Sequence, residues 1–401
     1  MTVGATEGAT GPETVQDNGP VHGPRTDGIG LAVIGCGAIG RIRSVLAHEH
    51  AAVTWLGLCD VHGPTLKQLA EDTSADFATR DIAELLRRPE VTAVIVATDE
   101  REHVDPILQA VALGHPLFIE KPLATDPVES AQVLAAIEAA GVDAVVGYTQ
   151  RFRRRFLGVK QRLRDEQIGR VTSVVTRAFM NRMVPDATLR KVTDTTNLTP
   201  MVVSGTHSLD MSMWLLEGRT PVEVYARSTD VVLGEMGTKD GTFGVFTMDD
   251  GTILSMNINW ALPAIWPGAV YGLEIGIVGS EGVIDIEDTH RDVIVASEHG
   301  QPAGYNSRGF EAPATRHVDF LGSYPPGDLS DGLLWGPMRE ETMSWFGRLS
   351  RGVRTPHATA AEGHSNLLLT MAMDLSARRG RPVSLPITPE ELQTGLREDV
   401  S

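Results

Sequence analysis

A glycine-rich turn between a strand and a helix constrains this chain more than any other feature. The apolar run Leu31-Ala32-Val33-Ile34 leads into Gly35-Cys36-Gly37-Ala38-Ile39-Gly40, and a helical pattern follows. Gly35 permits a tight turn, Gly37 lets the backbone approach a pyrophosphate, and Gly40 lets the helix pack on the strand. The helix N-terminus supplies free amides for the same anion. The turn therefore predicts a dinucleotide-binding fold.

An acidic residue at the end of the next apolar strand supports this interpretation. Asp60 follows Gly40 by twenty positions, where a carboxylate hydrogen-bonds the ribose hydroxyls of adenosine. It also repels a 2′-phosphate, so the sequence favours NAD, while Arg41 and Arg43 leave NADP as a second cofactor. The alternative is a glycine turn and a strand-end aspartate without a ligand.

Strands and helices alternate from residue 29 to residue 150, which predicts a Rossmann domain, a doubly wound parallel sheet. The residues before it, 1–28, are rich in Gly, Thr, Pro and acids, so we expect a disordered N-terminal extension. The strands are expected near Leu31–Ile34, Val53–Cys59, Val91–Ala97, Pro116–Ile119 and Ala144–Gly147, and the helices near Ile39–His48, Pro64–Asp72, Ile82–Arg87, His103–Leu113 and Pro127–Ala140.

Long alternating strands follow, and residues 151–390 predict an α/β domain with a large, mostly antiparallel open sheet. The turn Asp249-Asp250-Gly251 lies between two such strands and is typical of a hairpin. Helices near Met338–Leu349 and Glu362–Ala377 are expected to complete this domain, and residues 391–401 to form a tail.

Composition excludes several classes of function. Of 401 residues, 35 are Lys or Arg and 52 are Asp or Glu, and the net charge of −17 repels nucleic acid and anionic lipid. Cys36 and Cys59 lie in apolar runs, which indicates reduced thiols and a cytoplasmic protein. No signal peptide or membrane span is evident, and the histidines lack metal-ligand spacing, so neither a membrane nor a metal is expected.

Two residues stand where reactive groups are expected. Lys121 belongs to the tripeptide Glu120-Lys121-Pro122 that follows the apolar strand Pro116–Ile119, and the carboxyl end of such a strand lies in the ligand crevice. His207 begins a helical run, and a neutral imidazole suits proton transfer near pH 7. Asp210, one turn later, would orient or cap it. A charged surface turn and a structural helix-start histidine are the alternatives.

A series of short motifs then follows in order along the chain: Gly35–Gly40, Asp60, Ala97-Thr98 with His103, Glu120–Ala124 (EKPLA), Gly147–Phe152 (GYTQRF), His207–Asp210 and Ser376–Val383. In this combination the chain resembles the glucose–fructose oxidoreductase and inositol dehydrogenase (Gfo/Idh/MocA) family over about residues 29–390. The resemblance implies bound NAD(P), hydride transfer at a sugar or cyclitol hydroxyl, and a homodimer or homotetramer formed through the open sheet.

The resemblance also implies roles for single residues. Lys121 and His207 would be catalytic, with His207 shuttling the hydroxyl proton. Two departures from the family pattern are Val203, where members carry an aspartate four residues before the histidine, and Asp99 in place of a proline. Cofactor contacts would come from Gly35, Gly37, Ala38, Ile39, Gly40, Asp60, Ala97, Thr98, His103, Glu120, Lys121 and Arg151, and substrate contacts from Lys121, Tyr148, Asp194 and His207.

The leading hypothesis is an NAD(P)-dependent oxidoreductase that interconverts a secondary alcohol and a ketone on a sugar, cyclitol or glycoside. A second is a glycoside-cleaving or eliminating enzyme that uses transient oxidation by NAD. A third is a nucleotide-sensing regulator without chemistry, against which the joint presence of Lys121 and His207 argues. The loop Asn181–Pro200 would set specificity, and its composition does not name the substrate.

Overall fold

The computed structural model describes residues 27–189, 195, 197–263, 270–287, 293–302, 315–321, 327–330 and 333–398. Within them lie two seven-stranded sheets and two short two-stranded ones. The expected N-terminal extension, 1–28, falls outside the described residues except for Asp27 and Gly28.

The first sheet contains the doubly wound parallel arrangement that the sequence predicts. Its parallel strands run in the order β6-β5-β4-β1-β2-β3. The strands are β1 (Ile29–Ile34), β2 (Val53–Cys59), β3 (Phe77–Thr79), β4 (Ala93–Val96), β5 (Leu117–Ile119) and β6 (Ala144–Val146), and the helices are α1 (Ala38–His48), α2 (Gly63–Thr73), α3 (Ile82–Leu86), α4 (Val104–Ala112) and α5 (Pro127–Ala140).

Both faces of this sheet are covered by apolar side chains. Along β1, Leu31 and Val33 join one core cluster while Ala32 and Ile34 join another. Successive residues of a strand point to opposite faces, so a continuous apolar run is what a sheet buried on both sides requires.

Local signals fix the ends of the helix α5. The Asp126 carboxylate accepts hydrogen bonds from the amides of Val128 and Glu129, Pro127 occupies the first turn, and Gly141 ends the helix at φ +61°. Each feature satisfies or replaces a helix-end group that would lack a partner. The bounds of this helix agree with the prediction from sequence.

The first domain also includes residues beyond the boundary expected at residue 150, because the chain later returns to its sheet. Helix α9 (Pro337–Arg351) buries Trp345 and Phe346 in the same cluster as Val33 of β1. Strand β17 (Ala358–Thr359) then pairs antiparallel with β6 and extends the sheet. The helix near 338–349 therefore belongs to the first domain and not, as expected, to the second.

The remaining elements are α6 (Arg154–Arg164), β7 (Val171–Asn181), α7 (Met183–Leu189), α8 (Thr206–Leu215), β8 (Pro221–Thr229), β9 (Gly241–Met248), β10 (Ile253–Leu262), β11 (Val270–Gly279), β12 (Val283–Ile286), β13 (Val293–Pro302), β14 (Thr315–Leu321), β15 (Asp328–Ser330), β16 (Leu333–Trp335), α10 (Ala360–Arg379), β18 (Val383–Ser384) and α11 (Pro389–Glu398). The second sheet has the strand order β12-β11-β7-β10-β9-β8-β18 and is antiparallel except for the pair β7–β10. The predicted hairpin is confirmed, since β9 and β10 pair antiparallel on either side of Gly251 at φ +84°.

One face of the second sheet packs on helices and the other is open. On the packed side, Met371 and Leu375 of α10 share a cluster with Phe246 of β9. On the open side, Tyr225, Val245, Ser255 and Val175 lie next to one another across four strands, and Val175 keeps 54% of its surface exposed.

In the described residues, no helix is both long and apolar enough to span a membrane.

The last described segment is a packed helix, where a tail was expected. Leu392 and Leu396 of α11 are buried in the core of the second domain, at a spacing that puts both on one helix face. Up to residue 398, the segment 391–401 is therefore part of that domain.

Replacing Leu392 by alanine is expected to lower the free energy of unfolding by about 2–5 kcal/mol, since it empties a fully buried site. Thr394→Ala on the exposed side of the same helix is the control and should change it little. Urea unfolding followed by circular dichroism measures both, and equal stability of the two variants would mean that α11 does not hold the domain.

Candidate active site

The carboxyl ends of four parallel strands lie side by side at one edge of the first sheet. The amide of Gly35 donates to Cys59 O, that of Ala97 to Ile34 O, that of Glu120 to Val96 O and that of Gly147 to Ile119 O. The hydrogen-bond ladder therefore continues one residue past the strands β1, β4, β5 and β6. Ligands bind at such an edge in doubly wound sheets.

The glycine turn has the shape that a pyrophosphate requires. Gly35 adopts φ +96°, and a Cβ on it would lie 2.3 Å from Ala97 O; a Cβ on Gly40 would lie 1.9 Å from Gly35 O. Apart from its chain neighbours and the backbone of α1, no described atom lies within 4 Å of a Cβ built on Gly37, and no side chain among the described residues caps α1 at this residue. The turn is thus closed on the protein side and open toward the helix N-terminus, as an anion would need.

Asp60 lies beside this turn. Its Oδ2 accepts from the amide of Cys36 at 2.6 Å and its Oδ1 from the amide of His62 at 2.7 Å. A carboxylate has about four acceptor positions, so capacity remains for ribose hydroxyls. Both cysteines are free and buried, as predicted, and burial with the nearby Asp60 charge raises the pKa of Cys36 to about 12. These thiols are unreactive near neutral pH.

His103 braces the loop that carries Lys121. Its ring is buried, with Nδ1 2.7 Å from Pro122 O and Nε2 3.2 Å from Thr98 O. It thereby joins the end of β4 to the residue after Lys121. The hydroxyl oxygen of Thr98 is buried without a partner in the described part of the chain, so a polar group of a ligand could satisfy it. Direct cofactor contact by His103 stays a prediction.

Lys121 reaches across to the second domain. Its Nζ donates to the backbone oxygen of Val203 at 3.2 Å. Val203 belongs to a π-helical segment, Met201–Gly205, which leads into α8, and the Thr206 amide bonds to Met201 O five residues back. Where the family pattern has a carboxylate side chain, the lysine therefore contacts a neutral carbonyl.

His207 lies in the first turn of α8, close enough to Lys121 to feel its charge. Burial and that charge lower the pKa of His207 to about 3, so the imidazole is neutral at pH 7. Its Nδ1 is buried and has no hydrogen-bond partner in the described residues. The structure thus brings together the two residues that the sequence predicts to be catalytic.

The Tyr148 ring packs edge to face against the His207 ring, with centroids 6.1 Å apart. Asn366 Nδ2 donates to Tyr148 Oη at 2.7 Å and to the backbone oxygen of Thr206 at 2.9 Å. Burial raises the pKa of Tyr148 well above its usual value, so its hydroxyl stays protonated. Substrate contact by this hydroxyl stays a prediction, and Asp194 lies outside the described residues.

The expectation that Asp210 orients His207 is wrong. Both Asp210 oxygens accept from Arg151, at 2.6 and 2.9 Å, and Arg151 also pairs with Glu362. Burial raises the pKa of Asp210 to about 6 against the opposing effect of Arg151. The guanidinium is almost fully buried in these pairs. Arg151 therefore anchors α8 to the segment between the two domains, and its cofactor contact stays a prediction.

Sequence reasoning missed two residues that support the site, Glu341 and Asn366. Glu341 lies on the buried stripe of α9 with Met338 and Trp345, and pairs with Arg43 behind Glu120. A carboxylate on an apolar helix face is a readable signal that a buried cation is opposite. Asn366 carries no such signal, because its polar side chain is as common on a solvent-exposed helix face.

Two family descriptions match the chain. One, the oxidoreductase family with an NAD-binding Rossmann fold, covers residues 29–148, and the other, the GFO/IDH/MocA C-terminal domain, covers residues 156–285. The chain belongs to the Gfo/Idh/MocA family of oxidoreductases. The family resemblance inferred from its motifs is confirmed, and NAD is its cofactor.

Individual relatives agree with this assignment. The chain is 29% identical to an inositol 2-dehydrogenase of Gluconacetobacter diazotrophicus over 65% of this chain and 74% of that protein. Its fold is similar to that of a myo-inositol 2-dehydrogenase of Lactobacillus plantarum, with a TM-score of 0.73 and 17% identity over 90% of this chain and 100% of the other. A scyllo-inositol dehydrogenase of Lactobacillus casei with bound NAD(H) and scyllo-inositol has a TM-score of 0.68 and 16% identity over 89% and 99% of the two chains.

No three His, Cys, Asp or Glu side chains among the described residues lie close enough to share an ion.

The Asp60 carboxylate is expected to make NADH bind at least about 10-fold more tightly than NADPH, about 1.4 kcal/mol, because a carboxylate at this strand end would repel a 2′-phosphate. Asp60→Asn keeps the shape of the side chain and removes its charge, so the affinities for NADH and NADPH should become more similar. Fluorescence titration with both cofactors measures it, with Asp81→Asn, an exposed helix cap, as control. Equal binding of both cofactors to the unaltered protein would contradict the role of Asp60.

Proposed function

We propose that this family member oxidises a secondary alcohol of a cyclitol or sugar to the ketone, with NAD as hydride acceptor. The observation that carries the proposal has two parts: Lys121 Nζ hydrogen-bonds the Val203 carbonyl four residues before His207, and the His207 imidazole is neutral and lies within the influence of the Lys121 charge. The names of the related inositol dehydrogenases support the substrate class. Bound NAD supplies the hydride chemistry, and the protein supplies position and proton transfer.

Lys121 is the group that holds the reacting oxygen. An ammonium has three N–H donors, and one of them is used by the Val203 carbonyl. The other two have no partner among the described residues, so they can bind the substrate hydroxyl and stabilise negative charge as its proton leaves. Because Val203 offers a neutral carbonyl, the positive charge of Lys121 is directed at the substrate.

His207 is the group that takes the proton. Its Nδ1 has no hydrogen-bond partner in the described residues, and only the neutral imidazole can accept a proton. Burial and the Lys121 charge make the imidazole a weak base in the free protein. A developing alkoxide on Lys121 offsets that charge, so the basicity of His207 rises as the hydroxyl loses its proton.

The open face of the second sheet is proposed as the surface through which copies of the chain associate. Tyr225, Val245 and Val175 form a partly exposed apolar row across it, interrupted only by Ser255. Exposed apolar rows on a sheet mark interaction surfaces. A homodimer or homotetramer built on this face remains the expectation.

Lys121→Ala and His207→Ala are each expected to lower kcat by at least about 100-fold with NAD binding largely unchanged, the size of a lost acid–base contribution. Lys67→Ala, on the exposed face of α2, is the control. NADH absorbance with a panel of cyclitols and sugars measures turnover. Normal turnover in His207→Ala would move the proton-transfer role to Lys121.

The same assay separates the proposal from an enzyme that oxidises transiently and then cleaves a glycoside. Net alcohol oxidation accumulates NADH, whereas internal recycling releases the aglycone without any lasting change in absorbance. Aglycone release without NADH would overturn the proposed net oxidation.

The apolar Val203 is expected to make myo-inositol a poorer substrate than a glycoside or deoxysugar. Its side chain is 6% exposed, packs in the core of the second domain and offers no hydrogen-bonding group to a substrate hydroxyl. A site with a hydrogen-bonding group at this place would instead favour a ligand that carries the hydroxyl. Specificity constants, kcat/KM, for the three ligand classes test this, with Val203→Asp expected to change the ranking and Val203→Ala to keep it. Higher kcat/KM for myo-inositol in the unaltered protein would contradict the expectation.

A further inference from the structure

A fully buried guanidinium joins three segments that are far apart in sequence. Arg43 lies on α1, directly after the glycine turn, and none of its surface is exposed. Its Nε donates to Glu120 Oε1 at 2.9 Å and its Nη2 to Glu341 Oε2 at 2.6 Å. Its Nη1 donates to the Met338 carbonyl and the Thr342 hydroxyl on α9. One side chain thus links the cofactor helix, the lysine loop and the returning helix α9.

Two side chains on one face at the end of β5 contact this guanidinium. Phe118 and Glu120 are two residues apart and so point to one side of the strand. The Arg43 Cζ lies 4.3 Å from the centre of the Phe118 ring, while the Glu120 carboxylate takes the Nε bond. A Cβ on Gly147 would come within 3.0 Å of Glu120 Oε2, so the carboxylate also lies close over the end of β6. The Glu120 side chain is therefore fixed on two sides.

Glu341 completes the charge arrangement behind Glu120. Its Oε2 also accepts from the Thr149 hydroxyl at 2.8 Å, while its Oε1 is buried without a partner among the described residues. Burial, with the Glu120 charge, raises the pKa of Glu341 to about 7, although Arg43 acts in the opposite direction. The Glu120 and Glu341 carboxylates thus share the Arg43 guanidinium. Glu120 also accepts a hydrogen bond from Arg43 Nε.

We propose that Arg43 is a positioning residue for Lys121, acting through the Glu120 carboxylate. Lys121 follows Glu120 directly, and its only hydrogen bond in the described part of the chain is to Val203 O of the other domain. The backbone position of Lys121 is set by the residues on either side of it. Arg43 holds the Glu120 side chain, and His103 lies within hydrogen-bond distance of the Pro122 carbonyl. The inference rests on the proposed catalytic role of Lys121.

A second buried arginine offers a matched control, because Arg43 also ties α9 to the first domain. Arg348 of α9 pairs with Asp143, just before β6, with both N–O distances at 2.8 Å. The Arg348 and Asp143 side chains are 3% and 5% exposed, so this pair is buried like the pair of Arg43 with Glu120. It clamps the same helix on the same sheet at the start of β6. A purely structural role predicts similar effects from both arginines.

The experiment compares Arg43→Met, Glu120→Gln, the double variant and Arg348→Met in the full-length protein. Arg43→Met is expected to lower kcat by about 10- to 100-fold, the cost of misplacing a reactive group by about 1 Å, with NADH affinity within about 3-fold. Glu120→Gln should lower kcat similarly, and the double variant no further, because both changes break one connection. Arg43→Lys should recover part of kcat, since it keeps the charge but not the planar fork.

Arg348→Met should leave the kcat of the folded protein within about 3-fold, as it lies outside this connection. Equal losses in Arg43→Met and Arg348→Met, or additive losses in the double variant, would overturn the inference. If Arg43→Met does not fold, Glu120→Gln carries the test, and unchanged kcat in it would overturn the inference.

A second readout works without turnover. Acetic anhydride labels lysine amines, and peptide mass spectrometry gives the rate at Lys121 relative to the exposed Lys67. This ratio should change in Arg43→Met and Glu120→Gln and stay unchanged in Arg348→Met. Absence of turnover in the unaltered protein would count against the proposed function alone, whereas an unchanged labelling ratio would count against the positioning role.

Discussion

Burial of a parallel sheet on both faces is the constraint on which the rest of this structure depends. Leu31, Val33, Ala32 and Ile34 send successive side chains into two different apolar clusters, so neither face of the sheet is left for a ligand. Only the edge formed by the carboxyl ends of the strands remains. The glycine turn and the Lys121 loop both lie at that edge, and His207 is brought to it from α8 of the second domain.

Buried polar groups then set how the two halves of the chain meet. Arg151 with Asp210 connects the segment between the domains to α8, and Asn366 connects Tyr148 to the start of the same helix. Removing one partner from such a buried pair costs about 3–5 kcal/mol, because the other charge is left uncompensated. Hydrogen bonds and ion pairs of this kind form in only one geometry, so they hold His207 against the Tyr148 ring. A loosely packed apolar interface would allow several arrangements.

Sequence reasoning recovered the features that are written locally. The strand Val53–Cys59 and the helix Pro127–Ala140 were predicted with their observed bounds, since an apolar run or a capped repeat lies within each segment. The three-residue strand Phe77–Thr79 was missed because it is too short to show a period. Helix α11 was missed although Leu392 and Leu396 gave a weak signal.

The site shows the same division between local and distant information. Gly35, Asp60, Lys121 and His207 could be proposed from the sequence because each stands close to the end of an element that the sequence predicts, and their roles stay predictions. The partner of Asp210 was assigned wrongly, since helix spacing favours His207 while the actual partner, Arg151, lies fifty-nine residues away. The return of α9 to the first sheet was likewise invisible, because no local pattern states which sheet a helix covers.

That return separates the order of synthesis from the order of assembly. The ribosome makes the chain from its N-terminus, and domains usually fold as they emerge. Here the apolar surface around Phe118 stays uncovered until Trp345 has been made, and the last strand of the first sheet, Ala358–Thr359, comes later still. The cofactor-binding domain is therefore finished only after most of the second domain has been translated, so an interrupted chain would carry neither domain in complete form.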